Sequence, residues 1–221
     1  MAERLVLAHR GWRRGGPENS LAAIQAAEAL RCHGAEFDVR RLKDGTLVLH
    51  HDADVKTPEG RRPLSVLTWA EFETVRLGAT RLRDVVEWAR QHPRFWLDVE
   101  VKEEGALASV LELLAKRTDH VTLTSFDLAV AARAKRAEPE RRAGWISDER
   151  RADLAERAQR AGLDLLVIHR RNATADVVAD AQTRGLDVWV WGVDWRFQAR
   201  ALERRGVHAF ISDAPRRLLR T

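Results

Sequence analysis

The sequence predicts an α/β chain folded as a (β/α)8 barrel, a TIM barrel, and three observations carry that expectation. Eight short apolar runs, beginning at Arg4, Ala35, Phe95, Val121, Ala143, Asp164, Asp187 and Val207, alternate with segments whose apolar residues recur at helical spacing. Helical segments stop at a glycine that leads straight into a strand, at Gly34, Gly162, Gly185 and Gly206, and the last three are only 23 and 21 residues apart. Each step has room for one strand and one helix, which implies parallel strands joined by right-handed crossovers. The dinucleotide-fold fingerprint G-x-G-x-x-G is missing after the first strand, so an open doubly wound sheet ranks second. Eight such units close into a barrel, and 221 residues make one domain, 1–221, with a sizeable core.

Taken in order, 4–8 is a strand that ends in His9-Arg10-Gly11 and a glycine-rich basic loop. Pro17-Glu18-Asn19-Ser20 opens a helix carried by Leu21, Ile24, Ala27 and Leu30, with Asn19 as candidate N-cap, Glu18 beside the positive helix end and Gly34 as the stop. The strand from Ala35 follows, and Asp44-Gly45 is a turn signal that folds 46–49 back against it. Residues 52–62, polar and containing Pro58 and Gly60, read as a loop. Helices are expected over 69–75 and 82–90, the second with Leu82, Val85, Val86 and Ala89 on one face. Strands over 95–101, 121–124, 143–146, 164–168, 187–191 and 207–211 then alternate with helices over 107–115, 128–137, 152–161, 175–184 and 197–205. Only a short loop and two helices fit after the second strand, so no large inserted subdomain is expected.

A hydrophobic fraction of 45% and a charged fraction of 32% exclude a disordered or membrane-spanning chain. The amino terminus lacks the apolar length of a signal peptide, which makes the cytoplasm the expected location. A single cysteine, Cys32, rules out an intrachain disulfide and a cysteine-rich zinc site; it reads as a small apolar residue late in a helix. The charge of +5 and pI near 10.1 invite a nucleic-acid partner, but the basic residues are dispersed in pairs such as Arg13-Arg14, Arg61-Arg62, Arg141-Arg142 and Arg204-Arg205. They read as solvated helix faces, so no nucleic-acid partner is expected. The oligomeric state is not legible.

Reactive groups of a barrel gather at the carboxyl ends of its strands. There the sequence offers His9 and Arg10, then Glu36 and Asp38, then His51, then Glu100 and Lys102, with Ser125, Trp145, His169, Trp191 and Asp213 at further ends. Alternation along a strand puts Glu36 and Asp38 on one face, and likewise Asp98, Glu100 and Lys102. Two inward acids on an otherwise apolar strand need a partner. Three carboxylates without a thiol suit one hard divalent ion, Mg²⁺ or Ca²⁺ with Mn²⁺ also accommodated, rather than Zn²⁺. The competing reading is an ion-pair cluster with Arg40, Arg10 or Lys102. His9 and His51 are candidates for general acid and base, and Arg10 can fork two donors onto phosphate. Parity alone does not choose between His50 and His51 as the inward ring.

His9-Arg10-Gly11, Pro17-Glu18-Asn19-Ser20, Glu36-Phe37-Asp38-Val39, Lys43-Asp44-Gly45, His51-Asp52 and Glu100-Val101-Lys102 follow one another as the ordered motifs of the glycerophosphodiester phosphodiesterase family do, and the chain resembles that family to its end. The resemblance implies a metal-dependent barrel hydrolase that cleaves glycerophosphodiesters to sn-glycerol 3-phosphate and an alcohol. It implies Glu36, Asp38 and Glu100 as metal ligands, His9 and His51 as the acid/base pair, and Arg10 and Lys102 as phosphate holders. Glu18 is a further pocket candidate beside its helix-dipole role, and Trp191 either stacks on a cationic head group or fills the barrel mouth. The chain departs from the family where Val55-Lys56-Thr57 replaces the usual Arg and Thr, and where Trp191-Gly192-Val193-Asp194 stands for Trp-Thr-Val-Asn. Two rivals remain at this point: a phosphodiesterase acting on phospholipid head groups, and a non-catalytic barrel that binds metal and phosphate.

Overall fold

A computed structural model describes residues 4–115 and 120–219, so the outermost residues of the 1–221 span lie outside the described residues. The chain runs through β1 (Leu5–His9), α1 (Leu21–Ala29), β2 (Gly34–Arg41), β3 (Leu47–Leu49), β4 (Asp54–Thr57), β5 (Gly60–Pro63), α2 (Trp69–Val75) and α3 (Leu82–Arg90). It continues through β6 (Trp96–Val101), α4 (Glu104–Leu114), β7 (Val121–Ser125), α5 (Leu128–Ala137), β8 (Arg142–Ser147) and α6 (Leu154–Arg160). β9 (Leu165–His169), α7 (Ala175–Thr183), β10 (Asp187–Trp191), α8 (Arg196–Glu203) and β11 (Ala209–Ser212) complete it. β1 pairs in parallel with both β2 and β11, which closes β1, β2 and β6 to β11 into the expected barrel. Among the described residues no helix is long and apolar enough to cross a membrane.

The strands are apolar on both faces because both are covered. Outward residues such as Phe37, Val39, Leu97, Leu166 and Phe210 pack beneath the helices, while Leu7, Ile146, Leu165, Val167, Trp189 and Ile211 fill the barrel. Trp96 meets Trp189 edge-on at 5.8 Å inside. Polar groups also share this interior: Trp96 Nε1 donates to Thr122 Oγ1 at 2.9 Å and Thr124 Oγ1 to Asp98 Oδ1 at 2.9 Å, while Asp98 Oδ2 has no hydrogen-bond partner among the described residues.

Several sequence expectations change. α1 ends at Ala29, and Arg31, at φ 64°, takes the left-handed conformation assigned to Gly34. Gly34 serves instead as a contact point, since a Cβ there would lie 2.3 Å from the Trp96 carbonyl where β2 and β6 pair. Cys32 sits past the helix end, buried in the core. The expected loop over 52–62 instead holds most of the antiparallel hairpin β4–β5, which no apolar alternation announces because only Val55 of its side chains is buried. The arginine pairs are not uniformly solvated: Arg141 is 5% exposed and donates to the Leu114 carbonyl, and Arg142 lies against Trp189 inside the barrel.

Candidate active site

Strand register builds the centre of the site. His9 is the cross-strand neighbour of Glu36, and Asp38 that of Glu100, so three adjacent strands deliver an imidazole and three carboxylates to the same end. A slip of one residue would turn them all outward. Glu36, Asp38 and Glu100 are 4%, 1% and 5% exposed, and each offers an oxygen within 4.8 Å of the other two.

Two cations face this triad. Arg10, at φ 54°, turns the chain so that its amide donates to Glu36 Oε2 at 3.0 Å while its Nε lies 3.3 Å from Asp38 Oδ2. Lys102 Nζ sits 3.2 Å from Asp38 Oδ1 and 2.6 Å from Glu100 Oε1. The ion-pair and metal readings are therefore compatible, because three carboxylates against two cations retain excess negative charge. Asp38 Oδ1 and Glu100 Oε1, both buried, accept no well-aligned hydrogen bond, as suits oxygens that serve a cation. An all-carboxylate donor set fits a hard divalent ion.

The three acids are not equivalent. Burial, then the charges of Asp38 and Glu100, drives Glu36 well above the usual carboxylate range. Burial and the Asp38 charge push Glu100 up to about 8 against the opposing pull of Lys102. Asp38 stays below its ordinary value: burial works against it, but Lys102, Arg10 and a hydrogen bond from Asn19 outweigh that. Asp38 is the anionic anchor, and burial disfavours the charged forms of the flanking Glu36 and Glu100, which an added cation would favour.

Asn19 is a residue whose role the sequence reading missed. It sits at φ 54°, which Asn tolerates better than most residues, donates from Nδ2 to Asp38 Oδ2 at 2.8 Å and accepts from the Asp38 amide at 3.0 Å. The helix N-cap is Ser20, whose Oγ accepts from the Ala23 amide, so the expected cap at Asn19 is corrected. Glu18 lies outside the helix too; its carboxylate accepts from Arg10 at 3.1 Å and Arg13 at 3.5 Å, which places it beside Arg10 at the edge of the site. Replacing Asn19 by alanine should strip Asp38 of both bonds and cost about 1–3 kcal/mol of stability, measured by urea unfolding.

Each histidine is backed by an aspartate. His9 Nδ1 lies 2.8 Å from Asp213 Oδ1, with His9 Nε2 directed at Glu36 Oε2, 3.8 Å away. Asp213 also meets Arg13 at 3.0 Å; burial works against its charge, but the His9 hydrogen bond and the charges of His9 and Arg13 hold it below its ordinary value. An ionised carboxylate only accepts, so Nδ1 of His9 donates and Nε2 faces the site. His51 Nδ1 repeats the arrangement at 2.8 Å from Asp52 Oδ1, and Asp52, brought down to about 2 by His51 and then Arg61, is gripped by Arg61 of β5 at 2.9 Å. The β2–β3 hairpin carries His51 there, with the His50 amide donating to the Asp38 carbonyl at 3.0 Å and Arg40 Nε to the His51 carbonyl at 2.8 Å. His50 turns away to the Asp54 carbonyl at 3.0 Å and the edge of Phe72. Arg13 and Arg61 thus belong to the site rim rather than to solvated helix faces.

Of the remaining strand-end residues, Ser125 is structural, donating to the Val101 carbonyl at 2.8 Å. Trp145 faces outward into the helix layer, with its Nε1 on the Phe126 carbonyl at 3.0 Å, and so takes no part in the barrel mouth. His169 and Trp191 stand together on the far wall, ring centroids 4.4 Å apart.

A parallel barrel with carboxylates, imidazoles and cations collected at the carboxyl ends of its strands is built as a barrel enzyme. The chain belongs to the glycerophosphoryl diester phosphodiesterase family, whose sequence model matches residues 9–217, and so to the phosphoric diester hydrolases. A glycerophosphodiester phosphodiesterase of Caldanaerobacter subterraneus is 25% identical over 236 residues, covering 97% of this chain and 96% of that one. The crystal structure of a glycerophosphodiester phosphodiesterase from Thermotoga maritima superposes with a TM-score of 0.84 at 26% identity, covering 98% of this chain and 97% of that chain. An Oleispira antarctica phosphodiesterase, solved in complex with the product sn-glycerol-3-phosphate, gives a TM-score of 0.85 at 25% identity over 97% of this chain and 94% of that one.

Proposed function

We propose that this enzyme hydrolyses glycerophosphodiesters, such as glycerophosphocholine or glycerophosphoethanolamine, to sn-glycerol 3-phosphate and an alcohol. The observation that carries this reading is the meeting of the Glu36-Asp38-Glu100 triad with two aspartate-backed histidines and two cations at one barrel mouth. Glu36, Asp38 and Glu100 would hold one divalent ion, Mg²⁺ or Ca²⁺ with Mn²⁺ also accommodated, which supplies positive charge to a phosphoryl group gathering negative charge.

Arg10 and Lys102 bind and orient the diester through its non-bridging oxygens. One histidine takes the proton from the attacking oxygen as its bond to phosphorus forms. The other gives a proton to the alkoxide as the bond from phosphorus to the leaving oxygen breaks. With each Nδ1 tied to aspartate, both rings present Nε2 and reset through proton exchange. The attacking oxygen is either water or the neighbouring glycerol hydroxyl; a transient cyclic phosphate in the phosphorus NMR spectrum distinguishes the second. The substrate is a small molecule, and the single buried thiol of Cys32 suits the cytoplasm, where we place the enzyme.

Purified protein supplied with Mg²⁺, Ca²⁺ or Mn²⁺ should release glycerol 3-phosphate from these diesters in a coupled assay, and chelation should stop the release. No release from any diester of a broad head-group panel, with each metal present, would overturn the assignment.

A further inference from the structure

The wall opposite the triad is chemically distinct. Around the closed barrel, β9 stands four strands from β2 in either direction, and β10 four strands from β6. An arm of a diester that extends from the triad across the barrel mouth would meet β9 and β10. His169 and Trp191 are direct cross-strand neighbours there, on the same strand faces as the barrel-filling Val167 and Trp189.

This wall presents donors. Trp191 Nε1 is buried with no acceptor among the described residues. His169 Nδ1 accepts the Arg171 amide at 3.4 Å, which leaves Nε2–H as a second donor. Burial, followed by the charges of Arg170 and Arg171, lowers the His169 pKa and so favours the neutral ring, with the Asp148 charge opposing them. Gly192 makes room for the arrangement. It sits at φ +75°, and a Cβ there would lie 2.9 Å from His169 Nε2 and 3.0 Å from Cδ2. The departure from Trp-Thr-Val-Asn at this position thus has a physical counterpart: a threonine side chain would displace the His169 ring.

A choline arm wants an open aromatic face and a carboxylate. Here the Trp191 ring is met by His169, the Arg170 amide donates to the Trp191 carbonyl at 3.0 Å so that the loop carrying Arg170 and Arg171 lies against this wall, and the positive charges of both arginines act on His169 and disfavour a further cation. We propose that His169, Arg170, Arg171 and Trp191 form the leaving-group subsite, and that it selects diesters whose alcohol arm carries a second phosphate. The proposal rests on the phosphodiesterase reading above. Two guanidinium groups and two N–H donors match the acceptor oxygens of a phosphomonoester.

Three substrates test it with the glycerophosphoryl half held constant: glycerophosphoglycerol, the same diester with a terminal phosphate on its leaving arm, and glycerophosphocholine. The terminal phosphate should raise kcat/KM by about tenfold over the uncharged arm, the scale of two partly exposed charge pairs. In the double variant Arg170→Gln/Arg171→Gln that ratio should fall toward one. Gly192→Thr should do the same by displacing His169, and the arginine pair keeps the test decisive if that variant misfolds.

Calorimetric binding of the same diesters separates the two readings. Preferential binding of the phosphate-bearing arm, lost in the double variant but without hydrolysis of any diester, sinks the hydrolase and keeps the subsite. Hydrolysis with equal kcat/KM for charged and uncharged arms, or a ratio untouched by the double variant, overturns the subsite and keeps the hydrolase. A uniform loss across all three diesters also overturns it, because the wall would then hold the shared glycerol half.

Discussion

Replacing either His9 or His51 by alanine should lower kcat by about 10²- to 10⁴-fold, the usual worth of a positioned general acid or base. The two losses should not multiply in the double variant, since proton removal and delivery serve one displacement. The aspartates behind them should matter in a different way. Asp213→Asn and Asp52→Asn keep a side chain of the same shape but replace an acceptor-only carboxylate with an amide. The amide lets Nδ1 accept, which moves the proton to Nε2 in the wrong tautomer for a base. Both variants should lower kcat and displace the limbs of the pH–rate profile, while KM changes little. Asp213 lies 2.8 Å from His9, and Asp52 the same distance from His51, so either imidazole should respond only to its own partner. Full activity in both His9→Ala and His51→Ala would remove the acid/base scheme. An unchanged pH profile in the asparagine variants would reduce Asp213 and Asp52 to structural contacts.

The acids of this site were legible in the sequence because their side-chain direction follows from strand parity. Glu36 and Asp38 had to share a face, and Glu100 had to share one with Asp98, because side chains alternate along any strand. The barrel order made β2 and β6 neighbours across the 42–95 excursion, but the register that sets Asp38 directly against Glu100 is encoded by no local pattern. His50 and His51 illustrate the limit. Their choice is made by the β4–β5 hairpin, where the Asp54 carbonyl takes His50 and Arg61 holds the partner of His51. Asn19 and Asp213 escaped for a related reason, since each acts through a contact separated by 19 and 204 residues respectively. Asn19 left one faint local signal: Asn before a serine cap tolerates the left-handed conformation it adopts.

The second large effect concerns the triad when no metal is supplied, and it is opposite in sign for stability and for activity. In the folded, metal-free protein Glu100 is pushed up to about 8 from an ordinary 4.5, and Glu36 moves the same way. A carboxyl with a raised folded pKa keeps its proton where the unfolded chain has released it. Its contribution is complete below 4.5 and drains away as the pH climbs through about 8. Chelated protein should therefore melt at a progressively lower temperature between about pH 6 and pH 8.5, since a tenfold difference in proton affinity between the folded and unfolded chain is worth about 1.4 kcal/mol. Asp98, raised to about 7 by burial, adds to the same slope.

A divalent ion bound by the charged carboxylates should reverse this, and at a hundredfold excess over its dissociation constant it would add about 2.7 kcal/mol to the folded state. Glu100→Gln removes the group that titrates while preserving its shape and burial. That variant should be less pH-sensitive and more stable than the parent at pH 8.5 under chelation. With metal present it should show a much smaller rise in Tm and lose most of its activity. Differential scanning fluorimetry across pH, with and without chelator, reads all of these. A chelated parent with a flat Tm from pH 6 to pH 8.5 would refute the raised Glu100 carboxyl, and a Glu100→Gln variant stabilised by metal as strongly as the parent would remove Glu100 from the metal site. The three acids would meet a divalent ion unequally: Asp38 is already held charged by Lys102 and Arg10, while burial disfavours the charged forms of Glu36 and Glu100, which the added ion would favour.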